Sequence, residues 1–128
     1  MKPKGIHMHL GSQILQTKPY VDGVRKLVSL VKELKKLKIN LSYLDIGGGM
    51  GVSYGGEPAP TARDYARAIL PLLRGLKLTL VLEPGRYLTA NAGCLLTKVL
   101  YVKKKAKKNF IIVDAGMNDL IRPTLYCA

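Results

Sequence analysis

Apolar and polar positions alternate along the first two thirds of the chain with two different periods. Gly5-Ile6-His7-Met8-His9-Leu10 predicts a short strand ended by Gly11-Ser12, and Leu41-Ser42-Tyr43-Leu44-Asp45-Ile46 predicts a second, closed by Gly47-Gly48-Gly49. Between them Val21, Val24, Leu27, Val28, Val31 and Leu34 recur every three or four residues, so an amphipathic helix is expected from about Lys18 to Lys38. A Gly- and Pro-rich loop, Met50 to Pro60, follows. Thr61 then suits a helix N-cap with Asp64 at the capping-box position, and the helix is expected to run through Tyr65, Ile69 and Leu73. Pro71 should kink it or end its regular part, and Gly75 should stop it. Leu76 to Leu82 is a third apolar run and reads as a buried strand ending in Glu83-Pro84-Gly85-Arg86.

Strand, loop and helix therefore repeat, and each strand ends in a polar cluster. This predicts a parallel α/β architecture, in which ligands bind beyond the carboxyl ends of the strands. Three strands can neither close a barrel nor make a sheet covered on both faces, so a part of something larger is expected.

After Arg86 the pattern changes. Leu88 to Gly93 reads as a short helix. Leu95 to Val102 and Asn109 to Asp114 read as an antiparallel hairpin around a lysine-rich turn. Asn118 to Tyr126 reads as a short helix interrupted at Pro123. The change of sheet type places a domain boundary near residues 90–95, giving domains 1–92 and 93–128.

Composition narrows the function classes. With 48% hydrophobic residues among 128, the chain can bury a core. No apolar stretch has transmembrane length, and Met1 to Lys4 lead into a strand without a signal-peptide pattern, so a cytoplasmic location is expected. Cys94 and Cys127 lack metal-ligand spacing and read as structural thiols. The net charge of +13 would suit an anionic partner. However, Lys32, Lys35, Lys36 and Lys38 fall on the polar side of a helix, and Lys103 to Lys108 fall in a turn. With one Phe and no Trp, no aromatic pattern interleaves with them, so a solvated basic surface is favoured over a nucleic-acid site.

Four clusters could carry chemistry. His7 and His9 project to the same side of a strand and could share a metal, but no third ligand is evident; a satisfied structural histidine is the alternative. Gly47-Gly48-Gly49 would let backbone amides approach an anion such as phosphate, although the loop is not a Walker A motif and could be only a tight turn. Glu83 and Arg86 are costly at the mouth of a buried strand unless paired. They could be a structural ion pair. Alternatively, the acid could face a cofactor ring nitrogen, with the guanidinium holding a phosphate or carboxylate. Arg122 and Tyr126 lie four residues apart beyond Asp114-Ala115-Gly116-Met117-Asn118. On a helical turn they would share a face and suit a second carboxylate, or they could be only a surface arginine with a packed tyrosine.

In this order the stretches GIHMHLGSQI, LDIGGGMGVSY, LEPGRYLTANAG and IVDAGMNDLIRPTLY resemble the fold-type III pyridoxal-phosphate decarboxylases. The GSQ triplet and the RPTLY segment are most similar to members that decarboxylate meso-2,6-diaminopimelate to L-lysine, rather than to those acting on ornithine. The resemblance implies a TIM-like barrel followed by a β domain, commonly as a homodimer, with pyridoxal 5'-phosphate as cofactor. It implies that His9 stacks on the pyridine ring and that Ser12 and Gly47 to Gly49 hold the phosphate. Glu83 would face the ring nitrogen, with Gly85 and Arg86 also on the cofactor. Arg86, Arg122 and Tyr126 would contact substrate. Family members carry the Schiff-base lysine on an early barrel strand and a Cys-Glu-Ser-type motif in the β domain. Neither is found here, and Cys127 does not match that cysteine's surroundings. An internal fragment, inactive alone, is therefore expected: the last barrel units and the start of the β domain. The competing expectations are a related decarboxylase for another amino acid or polyamine precursor, and a non-catalytic basic binding module.

Overall fold

The computed structural model describes residues 2–126, Tyr126 through its backbone alone. The chain divides into two compact units, Met1–Ala92 and Gly93–Ala128.

The first unit is a three-stranded parallel sheet of β1 (Gly5–His7), β2 (Tyr43–Asp45) and β3 (Thr79–Val81), in that order. The helices α1 (Lys18–Lys36) and α2 (Ala62–Leu73) make the two crossovers and pack on each other. The periodicity of α1 holds, but its buried face is Tyr20, Val24, Leu27 and Val31, with Val21, Val28 and Leu34 only half-buried. These four, with Leu44 and Ile46 from the β2 segment and Tyr65 and Ile69 from α2, form the core. The helix ends on a Schellman arrangement: Lys38 takes φ 62°, its amide bonds the Lys35 carbonyl, and the Ile39 amide bonds the Leu34 carbonyl at 2.9 Å. At the other helix, Thr61 and Asp64 form the expected capping box, with bonds of 3.2 Å and 2.8 Å between each backbone amide and the other side chain. The helix continues two residues past Pro71, and Gly75, at φ 81°, turns the chain.

The strands are shorter than the apolar runs that encode them. Only Thr79–Val81 of the third run pairs. Lys77 takes φ 52°, which breaks extended backbone, and β3 is an edge with a neighbour on one side alone. Leu82 is consequently 47% exposed, so the expectation of a buried strand fails. A further short helix, α3, spans Gly85–Thr89, so it starts three residues earlier than the sequence suggests.

The second unit pairs β4 (Val99–Lys104) with β5 (Asn109–Val113) as the expected antiparallel hairpin, with a register shift between Val99 and Tyr101. The lysine cluster is exposed as expected, but Lys103 and Lys104 pair within β4 and only Lys105 to Lys108 make the turn. Lys105 and Lys108 lie over the Phe110 ring at 5.7 Å and 4.9 Å, which localises part of that charge. A final helix, α4, covers Arg122–Tyr126; Pro123 falls in its first turn, where proline is tolerated, rather than interrupting it. Cys94 is exposed in the irregular segment before β4, so it is not the packed thiol expected; Cys127 lies outside the described residues. Among the described residues no helix is long and apolar enough to cross a membrane.

Candidate functional site

The carboxyl ends of β1, β2 and β3 open on one side of the first unit. Because side chains alternate along a strand, Ile6, Leu44 and Leu80 turn toward the helices, and their neighbours turn to the opposite face. His7 and Asp45 are register partners on that face, with Val81 beside Asp45 and Glu83 two residues further on. His7 Nε2 lies 3.8 Å from Glu83 Oε2, and the two side chains are 51% and 53% exposed. Ligand atoms of His7, Asp45 and Glu83 all lie within 4.8 Å of one another. The partners of His7 are thus two carboxylates rather than His9. The strand ends at His7, so the alternation that would have aligned the two histidines does not continue. His9 instead sits against the glycine loop, its Cα 3.3 Å from where a Cβ on Gly47 would stand.

The glycines earn their places by close backbone approach. Gly47 takes φ 69°, and a Cβ there would strike the Met8 carbonyl. A Cβ on Gly48 would overlap the Glu83 carbonyl, and one on Gly49, at φ 87°, the Gly11 carbonyl. The Glu83 amide bonds the Gly47 carbonyl at 2.9 Å and the Gly47 amide bonds Asp45 Oδ1 at 2.8 Å, which seats β3's end against the loop. The Tyr20 hydroxyl donates to the Gly48 carbonyl at 2.5 Å, and the Tyr65 hydroxyl to the Ile14 carbonyl at 2.6 Å. The two rings meet edge to face at 5.1 Å. Burial, with the neighbouring Tyr65 second, pushes Tyr20 up to about 12, and burial raises Tyr65. The tight-turn reading of the loop is therefore correct as far as its packing goes. The Gly48 and Gly49 amides nevertheless meet no acceptor among the described residues. Exposed Ser12 follows Gly11, which lies under Gly49. Unengaged amides on a loop that admits no Cβ, with a hydroxyl alongside, fit a phosphate oxyanion.

Arg86 enters from the first turn of α3 and is half-buried. Its Nη1 donates to Gln13 Oε1 at 3.0 Å. Arg86 and Glu83 are not an ion pair with each other: the acid faces His7 and the guanidinium faces a neutral amide. Their cost at the strand end is low because Glu83 remains largely in water. Gln13, the last residue of the GSQ triplet, carries no sequence-based role. It also holds Val52 through both halves of its amide, Nε2 to the Val52 carbonyl at 2.6 Å and Oε1 from the Val52 amide at 3.2 Å.

Arg122 is half-buried at the start of α4 in the second unit. Tyr126 follows four positions later in the same helix, and its side chain lies outside the described residues. Asp114 closes the hairpin by accepting from the Lys98 amide and the Thr97 hydroxyl, both at 2.8 Å, which hold its carboxyl below the usual range.

A family model described as the pyridoxal binding domain of pyridoxal-dependent decarboxylases matches residues 2–90, the span that builds this mouth. The chain belongs to the pyridoxal-dependent decarboxylases. It is similar to the diaminopimelate decarboxylase of Helicobacter pylori, 48% identical over the whole chain and 32% of that protein's length. It is similar to that of Pseudomonas aeruginosa, 52% identical over 97% of this chain and 30% of that one. The crystal structure of the Helicobacter pylori enzyme complexed with L-lysine superposes with a TM-score of 0.90, covering 99% of this chain and 32% of that one. The chain thus spans about a third of the length of the curated relatives it matches. Among pyridoxal-dependent decarboxylases, then, this segment carries an α/β pyridoxal-binding region, and its cofactor is pyridoxal phosphate.

Proposed function

We propose that this chain carries the phosphate side of the cofactor site of a decarboxylase that converts meso-2,6-diaminopimelate to L-lysine. The observation that supports this most is the convergence at the carboxyl ends of the three strands of His9 and Ser12, Gly47 to Gly49, and Glu83 to Arg86. These stretches are separated in sequence, and the parallel topology gathers their strand ends. On this reading the first unit is the end of a TIM-like barrel and the second the start of the β domain, in a cytoplasmic homodimer.

Bound pyridoxal phosphate supplies an electron sink for the bond that breaks. This chain's residues bind and orient it. The free amides of the glycine loop, the Ser12 hydroxyl and the Arg86 guanidinium take the phosphate. Gly85 leaves the approach to Arg86 open, since nothing lies within 4 Å of where its Cβ would be. His9 covers a ring face, and Glu83 keeps a proton at the ring nitrogen. In the second unit Arg122 and Tyr126 are assigned a substrate carboxylate, and in the first unit Arg86 is separately assigned a substrate contact; for Tyr126 the assignment rests on the sequence match alone.

Titrating the chain with pyridoxal 5'-phosphate and with pyridoxal tests the cofactor half. The phosphate should strengthen binding by at least about tenfold, as charge-assisted bonds to one dianion do; equal affinities would sink the proposal. For the substrate half, residues 2–126 can replace the matching segment of the Helicobacter pylori enzyme. That chimera should release lysine from meso-diaminopimelate and leave ornithine untouched. The reverse preference would favour the related decarboxylase for another amino acid.

A further inference from the structure

Gln13 combines three features that no packing requirement explains. Its backbone takes φ 56°, a left-handed conformation that a residue with a Cβ seldom adopts. Its side-chain amide pairs in both directions with the backbone of Val52, in the loop after the glycines. The same Oε1 also accepts from Arg86 Nη1, 73 residues away in sequence, at 3.0 Å. Backbone strain of this kind persists where surrounding bonds over-determine it, and it concentrates where geometry matters.

We propose that Gln13 is a positioning residue: it fixes the Arg86 guanidinium to the glycine loop, so that the cation and the loop amides present one preformed anion cradle. Val52 is buried and follows Gly51, where a Cβ would press on Leu15 and Ile14, so this end of the loop cannot shift freely. Gln13 transmits that fixed position to Arg86. A neutral amide is suited to this task. Its oxygen orients one edge of the guanidinium without cancelling the charge, leaving the other donors for a ligand. Glutamate would hold the same edge and spend the charge. The inference rests on the proposed role of Arg86 as an anion-holding residue.

The test uses Gln13→Met, Gln13→Glu, Arg86→Ala and the Gln13→Met/Arg86→Ala double variant of the full chain. The first readout needs no ligand. In 15N NMR the Arg86 side chain should give slowed guanidinium signals in the parent chain and in Gln13→Glu, and averaged signals in Gln13→Met. The second readout is the dissociation constant for pyridoxal 5'-phosphate. Gln13→Met and Arg86→Ala should each weaken binding by about tenfold, the scale of one charge-assisted hydrogen bond. The double variant should be no worse than Arg86→Ala, because the two residues act as one unit. Gln13→Glu keeps an acceptor for Arg86 but loses the donor to the Val52 carbonyl, so it should weaken binding while the ion pair keeps Arg86 ordered, which separates order of the guanidinium from its anchoring and its charge. Additive losses, or an Arg86 signal unchanged by Gln13→Met, would overturn the positioning role. A parent chain that binds no pyridoxal phosphate, or an Arg86→Ala variant that binds as tightly as the parent, would instead overturn the anion-holding role of Arg86, with the NMR signal still deciding whether Gln13 fixes it.

Discussion

Gly48→Ala is the sharpest probe of how the mouth is assembled. Gly48 does not need a left-handed backbone, so its substitution tests space alone. A Cβ there overlaps the Glu83 carbonyl oxygen and stands 3.0 Å from the Glu83 carbonyl carbon. Restoring ordinary contact requires the two backbones to part by about an ångström. Three bonds sit in the path of that movement: Glu83 amide to Gly47 carbonyl, 2.9 Å; Gly85 amide to Glu83 carbonyl, 2.8 Å; and Ile46 amide to Val81 carbonyl, 3.2 Å. Overpacking with a backbone shift of this kind costs roughly 1–3 kcal/mol, the weakened bonds included, and three bonds in the path put the loss at the upper end, about 3 kcal/mol. For a unit of this size that lowers the melting temperature by roughly 12–24 °C. Gly85→Ala is the matched control. Nothing lies within 4 Å of its Cβ position, and it starts a helix, so it should be neutral or slightly stabilising. Thermal unfolding followed by near-ultraviolet circular dichroism of the packed Tyr20 and Tyr65 rings reads both. Equal melting temperatures for the two variants would show that the Gly48–Glu83 approach does not hold the mouth together.

Tyr20 should be the last tyrosine to ionise. Its folded value lies above its unfolded one, so the stability this difference contributes is complete below about pH 10. It is lost as pH rises toward about 12. A titration of tyrosinate absorbance should show a late component that Tyr20→Phe removes; a single transition near the ordinary value would contradict the buried bond to Gly48. Tyr65→Phe removes one of the two donors to the Ile14 carbonyl, the Gly51 amide at 3.0 Å remaining, and should cost at most about 1 kcal/mol in urea unfolding. Thr61→Ala removes a capping box and should cost about 1 kcal/mol, with the loss confined to the first unit.

What the sequence made legible was local. The period of α1, the Thr61–Asp64 box and the hairpin each depend on residues within a few positions of one another, and each formed. The third strand is shorter than its apolar run. Leu76 to Leu82 is apolar throughout, but strand length is set by partners, and β2 offers Tyr43–Asp45 only. Tyr20 is a core residue that the periodicity does not reveal, because a tyrosine next to Pro19 does not stand out from a helical pattern of valines and leucines. His7, Asp45 and Glu83 come from three strand ends. Their meeting depends on register, which alternation within one strand does not reveal.

The charged pair at Glu83 and Arg86 shows why pairing matters more than burial. Had the two been bonded to each other, each would have neutralised the other and little field would remain for a ligand. The structure separates them. Arg86 leans on the uncharged oxygen of Gln13, and Glu83 faces His7 across 3.8 Å with over half of its side chain in water. Each therefore keeps its charge to offer, the cation beside the glycine loop and the anion beside the strand face. On the proposed reading, a ligand that is negative at one end and carries a protonated ring nitrogen at the other would meet both demands at once. This complementarity follows from which neighbour each charge chose, and none of those neighbours is adjacent in sequence.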